Sequence, residues 1–535
     1  MVSHLLPRRK SPVVIVFCLL SILLILFLHS STLQRPPSLS SSTVIDNNNN
    51  NIPITSSTES SSSSIIPVVF PEPFTFHTPT ADEKFITYLP HSGFHNQRIE
   101  LENALLLAFY LNRTLLVPDV YLGNPAMPWL RFDKMYERIL LQTKRGLDHC
   151  LLIPRGAPYP MECLNYNRWT KVPWTFFYDL KPLTSQVRIV LRPDLSIQWL
   201  ESTLGLNQKT DIHFLKDVSP YEFRVYDHMQ SKTPLSKFMH RYDVATLEAM
   251  DATLLHFGSV FGTHRVLAQQ AAHAAWLKQI RTHLIFRNPV LVSTAQKVVD
   301  QLGGVGSFVG LHIRVGDGLF KVRASINIDD IYHSLVNQFT DLTLEELEQL
   351  DANHDEDRKE RTDYEVKTLR QITNVSSAMP LVVDHTGYEQ DISSLWIGDT
   401  PPSTLDSQLS CHKRKKDNSN NVNVTRFSRA IIYIATDAPN PKEHPLLRKI
   451  YNTFPCVFDL SDFAFVFDAL RQVHVVEENV QLDDYLIPML DAIIAAHGHH
   501  FFGTKDSTFT SYIERQLHPV YTHKEVKLAG PPVIR

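Results

Sequence analysis

Charged side chains directly follow an apolar run in the stretch FVGLHIRVGD, which contains His312, Arg314 and Asp317. A guanidinium group carries a planar fork of N–H donors that fits the oxygen atoms of a phosphate. The pattern therefore predicts an anion site centred on Arg314. Two structural alternatives stay open: an ion pair between Arg314 and Asp317, and a buried core histidine at position 312.

A second polar cluster follows the run HHFFG, with Thr504 and then Ser507, Thr508 and Thr510 at a predicted helix start. A helix start presents unpaired backbone N–H groups and the positive end of a dipole, and both favour an anion. Together with Arg314, this cluster predicts a site for the diphosphate of a nucleotide. The alternative is that these residues only cap and pack a helix.

Two carboxylates near the same runs are candidates for contacts with the rest of the nucleotide. Asp437 follows the run IIYIA, and Asp491 lies in a predicted helix. Carboxylates in nucleotide-binding folds accept hydrogen bonds from a ribose or a base. The alternatives are a loop or helix cap for Asp437 and an ordinary surface carboxylate for Asp491.

The three runs bring these residues together only if they are neighbouring parallel strands, since open α/β sheets bind ligands beyond the carboxyl ends of their strands. The first part of the chain has the matching order: strand KFITYLP, turn HSGFHNQR, helix IELENALLLAFYL and strand RTLLVPDVY. A long helical stretch is predicted over KQIRTHLIFRNPVLVSTAQKVVDQL. The predicted class is α/β, with halves at 74–286 and 287–535 and a polar insertion at about 341–426.

Composition limits the choice of partners. The chain has 535 residues, of which 43% are hydrophobic and 20% charged, so it is long enough for more than one domain. The formal net charge is only -4. This balance argues against a nucleic-acid partner and predicts that any anion site is local.

The N-terminus predicts a membrane anchor. Three basic residues, Arg8, Arg9 and Lys10, precede an apolar run at 13–28, a pattern typical of a type II signal anchor with the body of the protein in the secretory lumen. A cleaved signal peptide is the alternative. In that compartment the expected nucleotide ligand is a nucleotide sugar. The predicted segments are a cytoplasmic tail at 1–11, a transmembrane anchor at 12–29 and a disordered Ser- and Asn-rich stem at 30–73.

Cysteines and glycosylation sequons fit a lumenal location. Four of the five cysteines lie after the apolar run, and the pairing with the shortest loops joins Cys150 to Cys163 and Cys411 to Cys456. No Cys/His spacing is typical of zinc, so no metal is expected. Three sequons occur, of which those at Asn374 and Asn423 lie in polar segments suited to glycans, while the third, at Asn112, lies between a helix and a strand.

Four stretches together resemble a known family. HNQRIELENALLLAFYLNRTLLVP, GLHIRVGD, YIATDAPN and FFGTKDSTFTSYI are similar to the signature of the GDP-fucose protein O-fucosyltransferases and their relatives, over most of residues 85 to 520. The resemblance implies a GT-B fold, in which two Rossmann-like halves face a cleft. It also implies an inverting, metal-independent transfer of fucose from GDP-fucose to a protein or glycan hydroxyl.

The resemblance also implies roles for individual residues. Arg314 would contact the donor phosphates and assist the departure of GDP, with His312 beside it, and Asp491 would hold the guanine. Asn96 would face the sugar from the first half, although it is also a plausible turn residue. The other implied roles are lining of the diphosphate and nucleoside by Ser507, Thr508 and Phe509, and bracing of loops by Asp317 and Asp437.

The sequence departs from the family at the turn before the first helix. Some members have a glutamate there as catalytic base, whereas this chain reads Ser92, Gly93, Phe94, His95 and Asn96. His95 has a suitable side chain, but geometry decides whether a group can act as a base. The base is therefore unassigned, and catalysis by Arg314 alone, through stabilisation of the departing GDP, is the alternative.

Three other functions stay open. A metal-dependent GT-A transferase needs a D-x-D motif, and the one found, Asp355-Glu356-Asp357, lies in the polar insertion, which argues against it. A pseudoenzyme that binds a GDP-sugar without turnover is favoured by the missing carboxylate and disfavoured by Arg314. A transferase that uses another nucleotide sugar is the third. The anchor and stem favour the Golgi over the endoplasmic reticulum.

Overall fold

The computed structural model describes residues 65–123, 128–153, 157–158, 160–316, 318–343, 345–346, 430–526 and 528. The predicted tail, anchor, most of the stem and most of the polar insertion, including Asp355 and Asp357, lie outside these residues. Within the described part of the chain, no helix is both long and apolar enough to cross a membrane.

Strands and helices alternate along both halves of the described chain. The strands are β1 (Ile66–Pro67), β2 (Phe85–Thr87), β3 (Thr114–Pro118), β4 (Val120–Gly123), β5 (Trp169–Val172), β6 (Ile189–Arg192), β7 (Ile212–Leu215), β8 (Phe223–Tyr226), β9 (His240–Asp243), β10 (Leu254–Phe257), β11 (Val309–Ile313), β12 (Ile432–Thr436), β13 (Val457–Asp459), β14 (Val473–Val475), β15 (Val480–Gln481) and β16 (His500–Gly503). The helices are α1 (Phe94–Tyr110), α2 (Phe132–Leu141), α3 (Ile197–Leu204), α4 (Val244–Glu248), α5 (Ala271–His283), α6 (Pro289–Gln301), α7 (Gly318–Phe339), α8 (Arg448–Thr453), α9 (Phe465–Leu470), α10 (Asp483–Ala496), α11 (Thr508–Tyr512) and α12 (His518–Tyr521), with a π-helical segment at Ile513–Leu517.

The first half is built on a parallel sheet with the strand order β6-β3-β2-β10-β7. Its strands are short apolar runs such as TLLVP, which is buried at every position, as expected for a parallel sheet covered on both faces. Helix α1 connects β2 to β3 and begins at Phe94. The predicted turn HSGFHNQR was therefore too long, because its last five residues form the start of α1.

The second half is built on a parallel sheet with the order β13-β12-β11-β16. The α/β class is thus confirmed, and the three runs that end in polar residues are adjacent strands with β11 in the middle. The chain moves outward from β11 through β12 to β13 and then returns to the other side of β11 with β16. The strand order therefore reverses between β11 and β16.

The long helical stretch predicted across the junction of the halves is two helices. Helix α5 ends at His283 and α6 begins at Pro289, after Asn288, whose side-chain oxygen accepts hydrogen bonds from two backbone N–H groups of the first turn. A proline in the first turn suits a helix start but interrupts a continuous helix. The prediction missed this cap.

All described residues belong to one compact unit, and one hydrophobic core joins its two halves. That core contains Leu107 and Phe286 from the first half together with Ile493 and Tyr512 from the second. In addition β1, at the end of the predicted stem, pairs in parallel with β14. The carboxyl edge of the second sheet is therefore held in a fixed position against α1 of the first half.

Candidate active site

The loops after β11 and β16 are joined by hydrogen bonds at the reversal of strand order. The backbone N–H of Arg314 donates to Thr504 Oγ1 at 2.9 Å, and the backbone N–H of Thr504 donates to the carbonyl oxygen of His312 at 3.0 Å. Thr504 is completely buried. In open α/β sheets, ligands bind at this position, beyond the carboxyl ends of the strands where the order reverses.

Asp437 holds the loop that carries Arg314. Its carboxylate accepts hydrogen bonds from the backbone N–H groups of Val315 at 2.7 Å and Gly316 at 3.1 Å, and Arg314 Nε lies 3.8 Å from the same carboxylate. The Arg314 guanidinium also lies over the ring of Phe320, 4.6 Å from its centroid. Its side chain keeps 30% of its surface exposed. Arg314 is thus oriented from two sides while remaining accessible to a ligand.

His312 is buried behind the arginine. Its Nδ1 lies 2.7 Å from Thr510 Oγ1, and its ring contacts that of Phe509 with 4.8 Å between centroids. Burial and the positive charge of Arg314 lower the pKa of His312 to about 3. The imidazole is therefore neutral at physiological pH and adds no charge to the anion site.

The first half reaches this cluster through the start of α1. The ring of His95 stacks on Phe509 with 3.7 Å between centroids, and Asn96 Oδ1 accepts a hydrogen bond from Thr508 Oγ1 at 3.5 Å. Burial, followed by the positive charges of Arg98 and Arg314, lowers the pKa of His95 well below its usual value. His95 is therefore a weak base in this position.

Ser507 shapes the other side of the cluster. It is the N-cap of α11, where its Oγ accepts from the backbone N–H of Thr510 at 3.2 Å. This cap places Thr508 and Phe509 in the first turn, facing Asn96 and His95. The structure thus brings together most of the predicted site residues, namely Asn96, His95, His312, Arg314, Asp437, Ser507, Thr508 and Phe509.

Asp491 occupies a separate position within the second half. It lies on α10, is 8% exposed, and accepts a hydrogen bond from the Tyr433 hydroxyl at 2.5 Å. Burial raises its pKa to about 7, with the Tyr433 hydrogen bond opposing this and the charge of Asp459 adding to it. Among the described contacts of Asp491, none reaches Arg314.

Of the remaining predicted residues, some are described by the structure and some lie outside the described part of the chain. Cys150 and Cys163 form a disulfide with 5.6 Å between their Cα atoms, and Cys456 is also disulfide-bonded. Asn112 Oδ1 accepts a hydrogen bond from Arg188 at 3.2 Å. The predicted residues outside the described part of the chain are Asp317, Cys411, Asn374 and Asn423.

The described residues contain one group of potential metal ligands with suitable spacing, formed by His149, Cys150 and Cys163. Because its two cysteines are bonded to each other, they do not offer thiolates. The loops around Arg314 contain no such group among the described residues.

Sequence reasoning missed several residues that shape the site. Phe320 lies in α7, which was not predicted, so nothing marked it as a partner of Arg314. Arg98 contacts Gln516 and lies over the ring of Tyr512, which ties α1 to the C-terminal helices. Glu100 was read as part of an amphipathic helix, although its side chain is fully buried. The available signal was a helix in which Arg98, Glu100 and Glu102 directly precede a long apolar run.

Comparisons with known proteins give a limited sequence match. No family model matches the sequence. A segment of 38 residues is 58% identical to O-fucosyltransferase 30 of Arabidopsis thaliana. This segment is 7% of the present chain and spans 8% of that protein.

Similar solved structures include two of POFUT1. The structure in complex with GDP is 9% identical, with 84% of this chain and 98% of that chain covered and a TM-score of 0.34. The structure in complex with GDP-fucose is 10% identical, with the same coverage and a TM-score of 0.35.

Proposed function

We propose that this chain is a glycosyltransferase that moves fucose from GDP-fucose to a hydroxyl group of a protein or glycan. The observation that carries the proposal is the placement of Arg314, a partly exposed guanidinium at the carboxyl end of β11, where the strand order reverses beside β16. The motif resemblance and the short match to an O-fucosyltransferase support fucose as the sugar. The parallel sheet in each half of the chain supports a GT-B architecture for the proposed enzyme.

Arg314 would act on the leaving group. As the bond between the anomeric carbon and the phosphate oxygen breaks, negative charge builds up on the GDP, and a fixed guanidinium stabilises it more than it stabilises the intact donor. The acceptor oxygen attacks the opposite face of the sugar, which inverts the anomeric carbon. Because Arg314 supplies the positive charge, the proposed reaction needs no metal ion. The residues proposed to hold the donor are Asn96, His312, Asp491, Ser507, Thr508 and Phe509.

The proposed location is the secretory pathway, with a type II anchor at 12–29 and the Golgi as the favoured compartment. The disulfide between Cys150 and Cys163 supports a lumenal body, because such bonds persist in oxidising compartments. Protease protection of the body in sealed microsomes tests this orientation. Digestion of the body in intact vesicles would contradict it.

The test of the activity is a donor screen with the full chain in detergent. Release of nucleotide from GDP-fucose, GDP-mannose, UDP-sugars and CMP-sugars is followed with water as acceptor, with and without EDTA. We expect release from GDP-fucose, unchanged by EDTA. Binding of GDP without release from any donor would contradict the transferase and favour the binding protein.

Arg314→Ala is the decisive variant. Loss of a preorganised charge at the leaving group is expected to lower the rate of GDP release by about 10²–10³-fold with little change in melting temperature. Arg471→Ala is a matched control, because Arg471 is 56% exposed and pairs with Asp468 on the surface. An Arg314→Ala protein that keeps the wild-type rate would refute the assignment.

A further inference from the structure

The carboxyl edge of the first sheet carries a buried network that the donor site does not use. The strand order of this sheet reverses between β2 and β10. The loop after β2 contains His91 and Ser92, and the loop after β10 contains Ser259. Helix α1 adds Glu100 to the same place. The network thus lies at the second reversal of strand order in the protein, next to the start of α1.

The distances connect these groups into one chain. His91 Nε2 lies 2.7 Å from Ser259 Oγ and 3.0 Å from Glu100 Oε1, while His91 Nδ1 lies 2.7 Å from Ser92 Oγ. Ser259 Oγ donates to Glu100 Oε1 at 3.2 Å and accepts from the backbone N–H of Phe261 at 3.0 Å. His91, Glu100 and Ser259 are completely buried.

These contacts assign the proton on the imidazole. With the hydroxyl proton of Ser259 assigned to Glu100 Oε1, Ser259 Oγ accepts from His91 Nε2. The carboxylate oxygens of Glu100 also act as acceptors. Both neighbours of Nε2 are acceptors, so Nε2 carries the ring proton, and Nδ1 accepts the hydroxyl proton of Ser92. The imidazole is therefore oriented to withdraw a proton from Ser92.

Ser92 lies where it can meet a substrate. It is half-buried, and beside it an added Cβ on Gly93 would have no atom within 4 Å, so the space there is open. Its φ of 65° is in the left-handed region, which non-glycine residues rarely adopt outside turns and functional sites. One turn further on, His95 stacks on Phe509 of the cluster around Arg314, with 3.7 Å between ring centroids.

We propose that Ser92, His91 and Glu100 form a proton relay that serves as the general base of the transfer, an inference that rests on the proposed function. The acceptor oxygen bonds to the anomeric carbon while the carbon–oxygen bond to the phosphate breaks and GDP leaves with the electron pair. The acceptor proton passes to Ser92 Oγ as the Ser92 proton passes to His91 Nδ1. Glu100 stabilises the imidazolium, which afterwards returns a proton through Ser92 to water. Ser92 is the catalytic residue, and His91 and Glu100 are positioning residues.

Ser92→Gly removes the hydroxyl without backbone strain, because glycine favours a positive φ. The assay is GDP release from GDP-fucose by the full chain, with water as acceptor and with GDP binding measured by calorimetry. We expect the rate to fall about 10²-fold, the usual contribution of a general base, with the GDP dissociation constant unchanged. Ser236→Gly is the matched control, since Ser236 is exposed and has a φ of 55°. We expect it to behave as wild type.

Glu100→Gln tests whether the relay extends beyond Ser92. It keeps the shape of the side chain but removes the charge that stabilises the imidazolium, so we expect a slower release with GDP binding retained. A wild-type rate of GDP release by Ser92→Gly would overturn the relay. A variant that loses both the rate of GDP release and its affinity for GDP would overturn it as well. If Ser92→Gly releases GDP slowly but Glu100→Gln releases it at the wild-type rate, the relay is also refuted, because Ser92 would then act without His91. A wild-type chain that releases no GDP would instead refute the proposed function, and the relay with it.

Discussion

Replacing Asp491 by asparagine should change how the stability of the protein depends on pH. Asp491 is buried and hydrogen-bonded to Tyr433, and its pKa is raised from 3.8 to about 7. Asparagine has nearly the same shape and can accept the same hydrogen bond from the Tyr433 hydroxyl. The substitution therefore removes the ionisation of this group while leaving its packing almost unchanged.

The sign and size follow from proton linkage. With the folded pKa above the unfolded one, the folded state holds the proton more tightly, so the stability from this group is complete below pH 4 and is lost as pH rises to about 7. Each pH unit in that window changes the free energy of unfolding by about 1.4 kcal/mol. Between pH 5 and pH 7 the wild type should therefore lose about 2.5 kcal/mol relative to Asp491→Asn. Groups shared by both proteins cancel in the difference.

Urea denaturation of both proteins at pH 4, 5, 6 and 7 measures this difference. We expect similar stability near pH 4 and a more stable variant at pH 7. Parallel pH profiles would refute the reasoning, because they would mean that Asp491 ionises in the folded state as it does in water. The GDP dissociation constant of the variant, measured on the same samples, tells whether this carboxylate also binds the nucleotide.

Two further predictions concern stability. Gly310→Ala should abolish folding or lower the free energy of unfolding by more than about 3 kcal/mol, because an added Cβ would overlap the backbone carbonyl of Ala495. A variant whose circular dichroism spectrum shows a well-folded protein would contradict this close packing. Burial alone would raise the pKa of Glu102, but Arg281 and Arg98 lower it to about 2. The contribution of Glu102 to the stability of the fold is therefore present above pH 4.5 and is lost as pH falls towards 2. Glu102→Gln should cost about 3–5 kcal/mol at pH 7, since it leaves two buried arginines without their charged partner, and a loss below 1 kcal/mol in urea denaturation would contradict this.

Much of the cluster around Arg314 could be predicted from the sequence, because it depends on the local pattern of apolar and polar residues. An apolar run followed by His312 and Arg314 predicts a strand and its carboxyl end, and parallel strands place their carboxyl ends at one edge. The same pattern predicts that Asp437 and the Ser507 turn lie at the same edge of the sheet as Arg314. Local pattern did not reveal the break between α5 and α6, because the helical periodicity continues across the cap formed by Asn288.

The sequence by itself determined the α/β class, three of the four strands of the second sheet and the residue types at its edge. Each of these follows from the order of side chains along a short segment. Only the tertiary structure decided which groups act together. His91 and Ser259 are 168 residues apart, and their contact exists because β2 and β10 are adjacent in the sheet. The pKa values of His95 and Asp491 were equally beyond the sequence, because burial and neighbouring charges, which set them, are properties of the folded chain.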